Sequence, residues 1–568
     1  MYIVNYRRRA EAAFLLFCFF FFLSIARLCF IQFFRSEYLA EIAQKQHNMF
    51  IELEPRRGTV YDCNLKPLAV NLVFESVYAE PNQLSREQKE RIAAQLAPLL
   101  ALERSFLASR LDRDKAFVWL ARKVSPEQAQ QIRALKFKGI GMIKESKRCY
   151  PNDYLLSQVL GFAGLDNTGL EGLELYYDNY LKGEPGWATV LRDARSKRLD
   201  LNDTTVPAKD GYHLVLTIDE VVQYIAEREL EKAYQTYHAK GASIIVIDPR
   251  TGQLLALANR PGYDLNKPGH VSKDQIRNRA ICDMFEPGSV FKIVTAAAAL
   301  EENKVNEMTR FFCENGEYRV ANHTLHDHRP HGWLTFREVI EQSSNIGTSK
   351  VAQLLGPDKL YEYIKRFGFG AKLGIDIPGE INGSIKPPRQ WSKTSIACVP
   401  MGQEVGVTAL QLATALSVIA NGGYLMKPYL VREVRDRQGQ VIDYYPPTLV
   451  RQVLSEETAA RMRKILIGVM ENGTGKMGKL GQFTAGGKTG TAQKLDPNGS
   501  YSHDKYIASF MGFAPAEDPQ VAIVVTVDEP HPYYFGGVVA APVFKRVAED
   551  VLKYLKTKEY TQQTASLK

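Results

Sequence analysis

The most apolar stretch of the chain lies at its start. Residues 12–26 are apolar except for Ser24, and beyond Arg27 the run resumes over 28–34, broken by Gln32. Counted from Ala10 to Phe34, the 25 residues suffice to cross a bilayer with some tilt. Arg27 stands toward the far end, where a long side chain can snorkel to the headgroups. Arg7, Arg8 and Arg9 precede the run, which predicts a cytoplasmic start and an extracytoplasmic remainder. The residues Phe30-Ile-Gln-Phe-Phe34 offer no small-x-small cleavage site, so the expectation is an uncleaved anchor rather than a signal peptide.

Past the anchor the pattern is mixed. Ile92, Leu96, Leu99 and Leu100 recur at helical spacing and predict a helix over 86–102. Two stretches, 54–64 and 166–172, are rich in turn residues. Residues 35–235 read as a scaffold. Near Gly241 the texture changes. Ala242 to Asp248, a Pro-Arg-Thr-Gly turn and Gln253 to Ala258 predict a β-hairpin. An alanine-rich helix follows over 289–302, with more helices to about residue 420. Residues 483–494, 506–513 and 521–527 predict three more strands. Val543, Phe544, Val547, Val551, Leu552 and Leu555 mark a last amphipathic helix. Strands at both ends of a helical middle predict an α+β domain over 236–556, with a flexible tail at 557–568.

Composition narrows the function classes. The chain has 568 residues, 45% hydrophobic and 24% charged, which is globular and long enough for at least two domains. A mean hydropathy of −0.23 excludes a polytopic membrane protein. The net charge of +9 is mild for this length, and its densest run is the arginine trio before the anchor, so nucleic acid is not an expected partner. Seven scattered cysteines without a CxxC spacing point neither to zinc nor to a disulfide framework. His323, His326, His328 and His331 crowd nine residues, but their spacing fits no metal motif. A polar loop beside a cleft is the better reading. Gly487-Lys-Thr lacks the upstream glycine of a phosphate loop, since position 482 is Gln482. No metal or cofactor is expected.

Three short motifs carry chemistry: Ser289-Val-Phe-Lys292, Ser343-Ser-Asn345 and Lys488-Thr-Gly490. A second Ser-x-x-Lys, Ser502 to Lys505, lies in a polar loop. The first opens an apolar helix, where positions i and i+3 share a face and free N–H groups favour a developing oxyanion. A serine hydroxyl attacks only when a base takes its proton. Lys292 is that base if burial or a neighbouring cation holds it neutral, and Lys488 is placed to be the cation. Ser343 suits a proton relay, and Asn345 suits holding a substrate amide. Thr489 and Thr491 suit binding a carboxylate, alongside Gly490. Backbone N–H groups of Ser289 and Thr491 would form an oxyanion hole.

With its flanking sequence, the chain closely resembles the class B penicillin-binding proteins, the D,D-transpeptidases that cross-link peptidoglycan. The likeness extends to Pro55-Arg-Arg-Gly, Pro67-Leu-Ala, Arg148-Cys-Tyr-Pro, Gly161-Phe-Ala-Gly and Gly169-Leu-Glu-Gly-Leu-Glu. It continues through Ile247-Asp-Pro-Arg-Thr-Gly, Met401-Gly-Gln-Glu and Gly487-Lys-Thr-Gly-Thr-Ala-Gln-Lys. The sequence departs from the family at Asp62-Cys-Asn-Leu65, where arginine and glycine are usual, and at Val290, where threonine is commoner. The resemblance implies an anchor (1–9 cytoplasmic, 10–34 transmembrane) and an elongated pedestal of the dimerisation type (35–235). It also implies a transpeptidase domain with an antiparallel sheet flanked by helices (236–556). It implies acyl transfer through Ser289, with stem peptides ending in D-Ala-D-Ala as donor, an amine as acceptor, and β-lactams as inhibitors. A single-pass protein of the bacterial inner membrane, with its catalytic domain outside, is expected. So are a polytopic glycosyltransferase and division proteins as partners. Phe285-Glu-Pro-Gly-Ser resembles the division-type branch. Alternatives are an elongation-type transpeptidase, a β-lactam receptor or scaffold, and a D,D-carboxypeptidase or β-lactamase.

Overall fold

The apolar run folds as one helix, Tyr2–Cys29, continued by a π-helical turn over Phe30–Phe34. Its interior hydroxyl is satisfied within the helix, Ser24 Oγ donating to Phe20 O at 2.9 Å. The span Tyr6–Phe34 is long and apolar enough to cross a membrane. The computed structural model describes residues 2–39, 48–192, 198–321, 323–496 and 499–566.

The chain gathers into two units, Met1–Arg56 with Gly183–Asp210, and Arg57–Lys182 with Gly211–Lys568. The 35–235 stretch read as one scaffold is therefore divided between them. In the first unit, Gly186–Arg192 is the middle strand of a three-stranded sheet, between Asn48–Leu53 and Arg198–Val206.

The second unit holds two large sheets. One has seven strands and runs from Val441–Tyr444 through Val431–Arg435, His213–Leu216 and Val60–Tyr61 to Pro67–Ala79, which pairs with both Val118–Val124 and Ile140–Cys149. The helix expected over 86–102 spans Arg86–Leu100. Ser85 caps it with Gln88 in a reciprocal box, and Ile92, Ala93, Leu96 and Leu100 are buried. The motifs at 55–58, 148 and 169–174 meet at one buried carboxylate. Arg57 Nε and Arg148 Nε approach the two Glu174 oxygens at 2.5 and 2.6 Å. Removing one partner of such a group strands a charge in the interior.

The other sheet is antiparallel, in the order Leu254–Arg260, Gly241–Ile247, Val521–Asp528, Tyr501–Ala514, Gly486–Leu495. All seven residues of Gly241–Ile247 are buried. The strand is covered on both faces, so it reads as a continuous apolar run rather than an alternation. Ile244, Val246, Ile523 and Val525 face the helix Glu220–Thr236 and the C-terminal helix. Ile245, Ile247, Ala522 and Val524 belong to the larger core with Ala409–Ala420.

The C-terminal helix runs Ala541–Ser566, so the flexible tail expected at 557–568 is helical over its described residues. Its end is anchored. Lys558 Nζ and Tyr554 OH donate to Asp219 Oδ2 at 2.9 and 3.0 Å, beside Asn64 Nδ2 at 2.9 Å. The Asp62-Cys-Asn turn, where the family more often has arginine, thus receives a cation from the far end of the chain.

Candidate active site

Ser289 lies on a 3-10 turn, Gly288–Phe291, that leads into the helix Lys292–Glu301. The sequence predicts one helix from 289; its first turn is the tighter form. Every residue from Lys292 to Leu300 is buried, which explains the alanine-rich composition: small side chains let neighbouring elements close in on all faces. Lys292 is carried into the core with no exposure.

The loop before Ser289 is held at several points. Phe285 pairs with Val407, and Gly288 N donates to Gly402 O at 3.2 Å. The half-buried Glu286 carboxylate accepts from Glu404 N at 2.8 Å and from Tyr501 OH at 3.0 Å. The serine turn also lies against the strand Gly486–Leu495. A Cβ at Gly490 would fall 2.3 Å from Ser509 Oγ and 2.9 Å from Val290 Cγ1. Only glycine lets turn and strand touch there. A Cβ at Gly288, whose φ is +60°, would lie 2.9 Å from Thr491 O, so the backbone just before Ser289 adjoins Thr491.

Ser343 joins the helices Phe336–Glu341 and Asn345–Leu355 with φ 59°, in the left-handed region. For a residue with a Cβ this costs about 1–3 kcal/mol. The conformation turns both its oxygens toward Lys292. Lys292 Nζ donates to Ser343 O at 2.6 Å, Ser343 Oγ at 3.2 Å and Asn345 Oδ1 at 2.8 Å. Lys488, also fully buried, donates to Ser343 Oγ at 2.8 Å and Thr489 O at 3.2 Å. One hydroxyl therefore bridges two buried amines.

Burial drives both amines down. Lys292 falls to about 7, with the Asp327 carboxylate opposing the fall. Lys488 falls well below the usual lysine range, through burial first and the Lys292 charge second. The sequence reading made Lys488 the cation that depresses Lys292. In the structure burial is the first cause for both amines, and the Lys292 charge also presses on Lys488. Lys292 has three oxygen acceptors and the nearby Asp327, whereas Lys488 has a hydroxyl and one carbonyl. Lys292 is the better supported ammonium and Lys488 the more readily neutral amine.

Ser289 Oγ has no hydrogen-bond partner among the described residues. The i, i+3 spacing puts Lys292 on the adjoining turn, but its donors are committed to Ser343 and Asn345. Asn345 is committed as well, since Nδ2 donates to His326 O at 2.8 Å. A substrate amide would have to displace that bond. Thr489 Oγ1 shares a hydrogen bond with Thr474 Oγ1 at 2.7 Å, and Thr491 Oγ1 accepts from Gly536 N at 3.0 Å. Just before Gly536, Phe535 stacks in a chain with Tyr534 and Tyr506, at centroid distances of 4.4 and 4.1 Å, and meets His328 at 5.1 Å. The histidine-rich segment thus reaches the same neighbourhood. Among the described residues, no group of three His, Cys, Asp or Glu side chains is placed to hold a metal ion.

Lys292, Ser343, Asn345 and Lys488 thus form one hydrogen-bonded cluster, while Ser289 and Gly490 meet through the Val290 contact. Two contributors escaped the sequence reading. Glu286 was visible only as part of Glu-Pro-Gly, and Asp327 only as a carboxylate among histidines. Ser502, of the second Ser-x-x-Lys, donates to Asp504 Oδ1 at 2.6 Å.

Comparison with known proteins supplies the context. Residues 242–549 match the model of the penicillin-binding protein transpeptidase domain, and residues 52–216 match that of the penicillin-binding protein dimerisation domain. Stage V sporulation protein D of Bacillus subtilis is 38% identical over 546 residues, spanning 94% of this chain and 84% of its own length. The probable peptidoglycan D,D-transpeptidase PenA of Neisseria meningitidis is 34% identical over 536 residues, spanning 94% and 90%. The crystal structure of penicillin-binding protein 3 from Mycobacterium tuberculosis, complexed with aztreonam, superposes with a TM-score of 0.70 at 27% identity. That match covers 89% of this chain and 97% of the other.

Proposed function

Because this chain belongs to the penicillin-binding protein transpeptidase family and is a peptidoglycan D,D-transpeptidase, we propose that Ser289 is its nucleophile and Lys292 the base. The observation that supports this assignment is the Ser343 hydroxyl bridging two buried lysine amines, one of them three residues after a serine whose hydroxyl has no partner among the described residues.

The reaction runs in two steps. Ser289 Oγ attacks the penultimate D-Ala carbonyl, and neutral Lys292 takes its proton. The backbone N–H groups of Ser289 and Thr491 receive the oxyanion. Collapse breaks the peptide bond, and the departing D-Ala amine takes a proton relayed through Ser343. An amine from a second stem peptide then attacks the ester, and Ser289 regains its proton as the cross-link forms. The terminal carboxylate of the donor fits against Thr489, Thr491 and Lys488. An anion there favours the charged form of Lys488 and so draws a proton from Lys292 across Ser343. Substrate binding would thereby free the base. A β-lactam acylates the same serine.

The base must be neutral to act, and its pKa has been pressed down to about 7. The acylation rate is therefore expected to rise as pH increases through about 7 and then level off. At pH 6 it should be roughly ten-fold below the plateau. Second-order acylation by a fluorescent penicillin between pH 5.5 and 8.5 reads this directly. A flat profile would contradict Lys292 as the base.

The test of the whole reading is incubation with a stem pentapeptide donor and an amine acceptor, followed by mass spectrometry. Release of D-Ala with a new amide bond supports transpeptidation. Release to water alone favours a carboxypeptidase. The anchor helix supports a single-pass membrane protein with residues beyond 34 outside the inner membrane. The Phe285-Glu-Pro-Gly-Ser segment supports a septal role with a polytopic glycosyltransferase as partner. Depletion that yields filaments fits septal action, and rounded cells overturn it.

A further inference from the structure

We propose that Asp327 is a positioning residue for the transpeptidase reaction, holding the first turn of the Asn345 helix so that Asn345 Oδ1 and Ser343 O present themselves to Lys292. This rests on the assignment of Lys292 as base and extends it to a residue outside the three motifs. The geometry is specific. Asp327 Oδ1 accepts from Asn345 N at 2.5 Å and Ile346 N at 3.1 Å, while Oδ2 accepts from Ser344 Oγ at 2.6 Å. The preceding residue completes the grip, His326 O accepting from Asn345 Nδ2 at 2.8 Å. That bond fixes which way the amide faces. With Nδ2 committed to His326 O, the oxygen Oδ1 turns to Lys292 Nζ.

The support comes from an unusual direction. Asp327 follows the short strand His323–His326, which among the described residues pairs with Glu317–Val320 alone. This hairpin strand lies outside the sheet that carries Lys488. Its carboxylate satisfies N–H groups that an 11-residue helix leaves open at its N-terminus. It also places a negative charge close enough to Lys292 to oppose the effect of burial. The other ionisable groups around this cluster are Lys488 on the far side of Ser343 and Cys313, whose Sγ lies 3.4 Å from Ser344 Oγ. Lys350, paired with Glu314, His326, near Glu317, and His328 complete the set. None of these donates to the Lys292 amine.

The carboxylate therefore does two things. It orients the acceptors that hold the base, and it keeps the proton on Lys292 rather than Lys488 until substrate arrives. An asparagine at 327 retains an acceptor for the helix N–H groups and removes the charge. An alanine removes both.

The test measures acylation of the full chain by a fluorescent penicillin across pH 5.5–8.5, with melting temperature recorded for each variant. Asp327→Asn should fold and shift the rising limb to lower pH by about 0.5–1 unit, because the ammonium form of Lys292 loses its counter-charge. Asp327→Ala should lose about 10- to 100-fold in kcat/KM with a stem-pentapeptide donor, and Asp327→Glu should recover part of it. A variant whose rate and midpoint superpose on the wild type overturns the proposal. So does a loss accounted for entirely by a smaller folded fraction with an unmoved midpoint. A wild type that is not acylated at Ser289 overturns the assignment of the nucleophile, and this inference with it. Normal wild-type acylation with an indifferent Asp327→Asn overturns the inference alone.

Discussion

Ser289→Ala should abolish covalent attachment of a penicillin and bring peptide cross-linking down by at least about 10³-fold, while the melting temperature stays at the wild-type value. The catalytic loss follows from covalent chemistry. Without the hydroxyl there is no acyl-enzyme, and the remaining donors only bind, which leaves a small residual rate at best. The unchanged stability follows from the structure. Ser289 Oγ has no hydrogen-bond partner among the described residues, so its removal strands no polar group. The turn that carries it is held by the backbone of Gly288, the carboxylate of Glu286 and the contact with Gly490, none of which needs the hydroxyl. Intact-mass spectrometry after penicillin treatment gives the outcome. Undiminished labelling in the variant would mean that another serine is the nucleophile. Ser502, of the second Ser-x-x-Lys, is the sequence-level competitor, and its hydroxyl is already engaged by Asp504.

Lys292→Met is the second large effect. Methionine approximates the length and apolar stem of the lysine and supplies no amine. Acylation should fall by about 10²–10⁴-fold, the range for loss of a positioned general base. The pH dependence through about 7 should disappear with it. Stability is set by two opposed contributions. Loss of the amine leaves Ser343 O and Asn345 Oδ1 without their donor, at about 1–3 kcal/mol for a buried acceptor. It also removes a buried group whose charged form was disfavoured, and it takes away the charge that presses down Lys488. Lys488 should then be more readily protonated. Stopped-flow acylation paired with equilibrium binding of a non-acylating ligand separates the two possibilities. Retained binding with lost acylation supports the base. Equal loss of both would mean that Lys292 only builds the pocket.

Much of this was legible in the chain, for identifiable reasons. The strands Gly241–Ile247 and Val521–Asp528 of the catalytic sheet are buried on both faces, so they stand out as apolar runs. The anchor is visible because 21 of the 25 residues from Ala10 to Phe34 are apolar, more than a water-exposed helix would carry. The motif residues could be named because serine, lysine and threonine in that order already restrict the chemistry. What the chain did not disclose is three-dimensional. The left-handed backbone of Ser343 is not encoded by any glycine or asparagine at that position; it falls at the junction of two helices. The distribution of charge between the two lysines depends on which carbonyls each amine meets, and spacing along the chain says nothing about that. Asp327 is silent in the sequence because its link to the N–H groups of Asn345 and Ile346 spans 18 and 19 positions and follows no motif. The frayed tail was expected because polar residues near a terminus usually lack partners, and Asp219 lies more than 300 residues away in sequence.

The order of strands in the catalytic sheet bears on when the protein first becomes reactive. Gly241–Ile247 lies between Leu254–Arg260, made a few residues later, and Val521–Asp528, made almost 300 residues later. A chain synthesised from its N-terminus cannot close that sheet until residue 528 has emerged, because loop closure over such distances must wait for the partner strand. Ser289 comes about 200 residues before Lys488 and the strand that abuts its turn. The growing chain therefore carries a harmless serine, and the acylating centre comes into being only once Val521–Asp528 has been made.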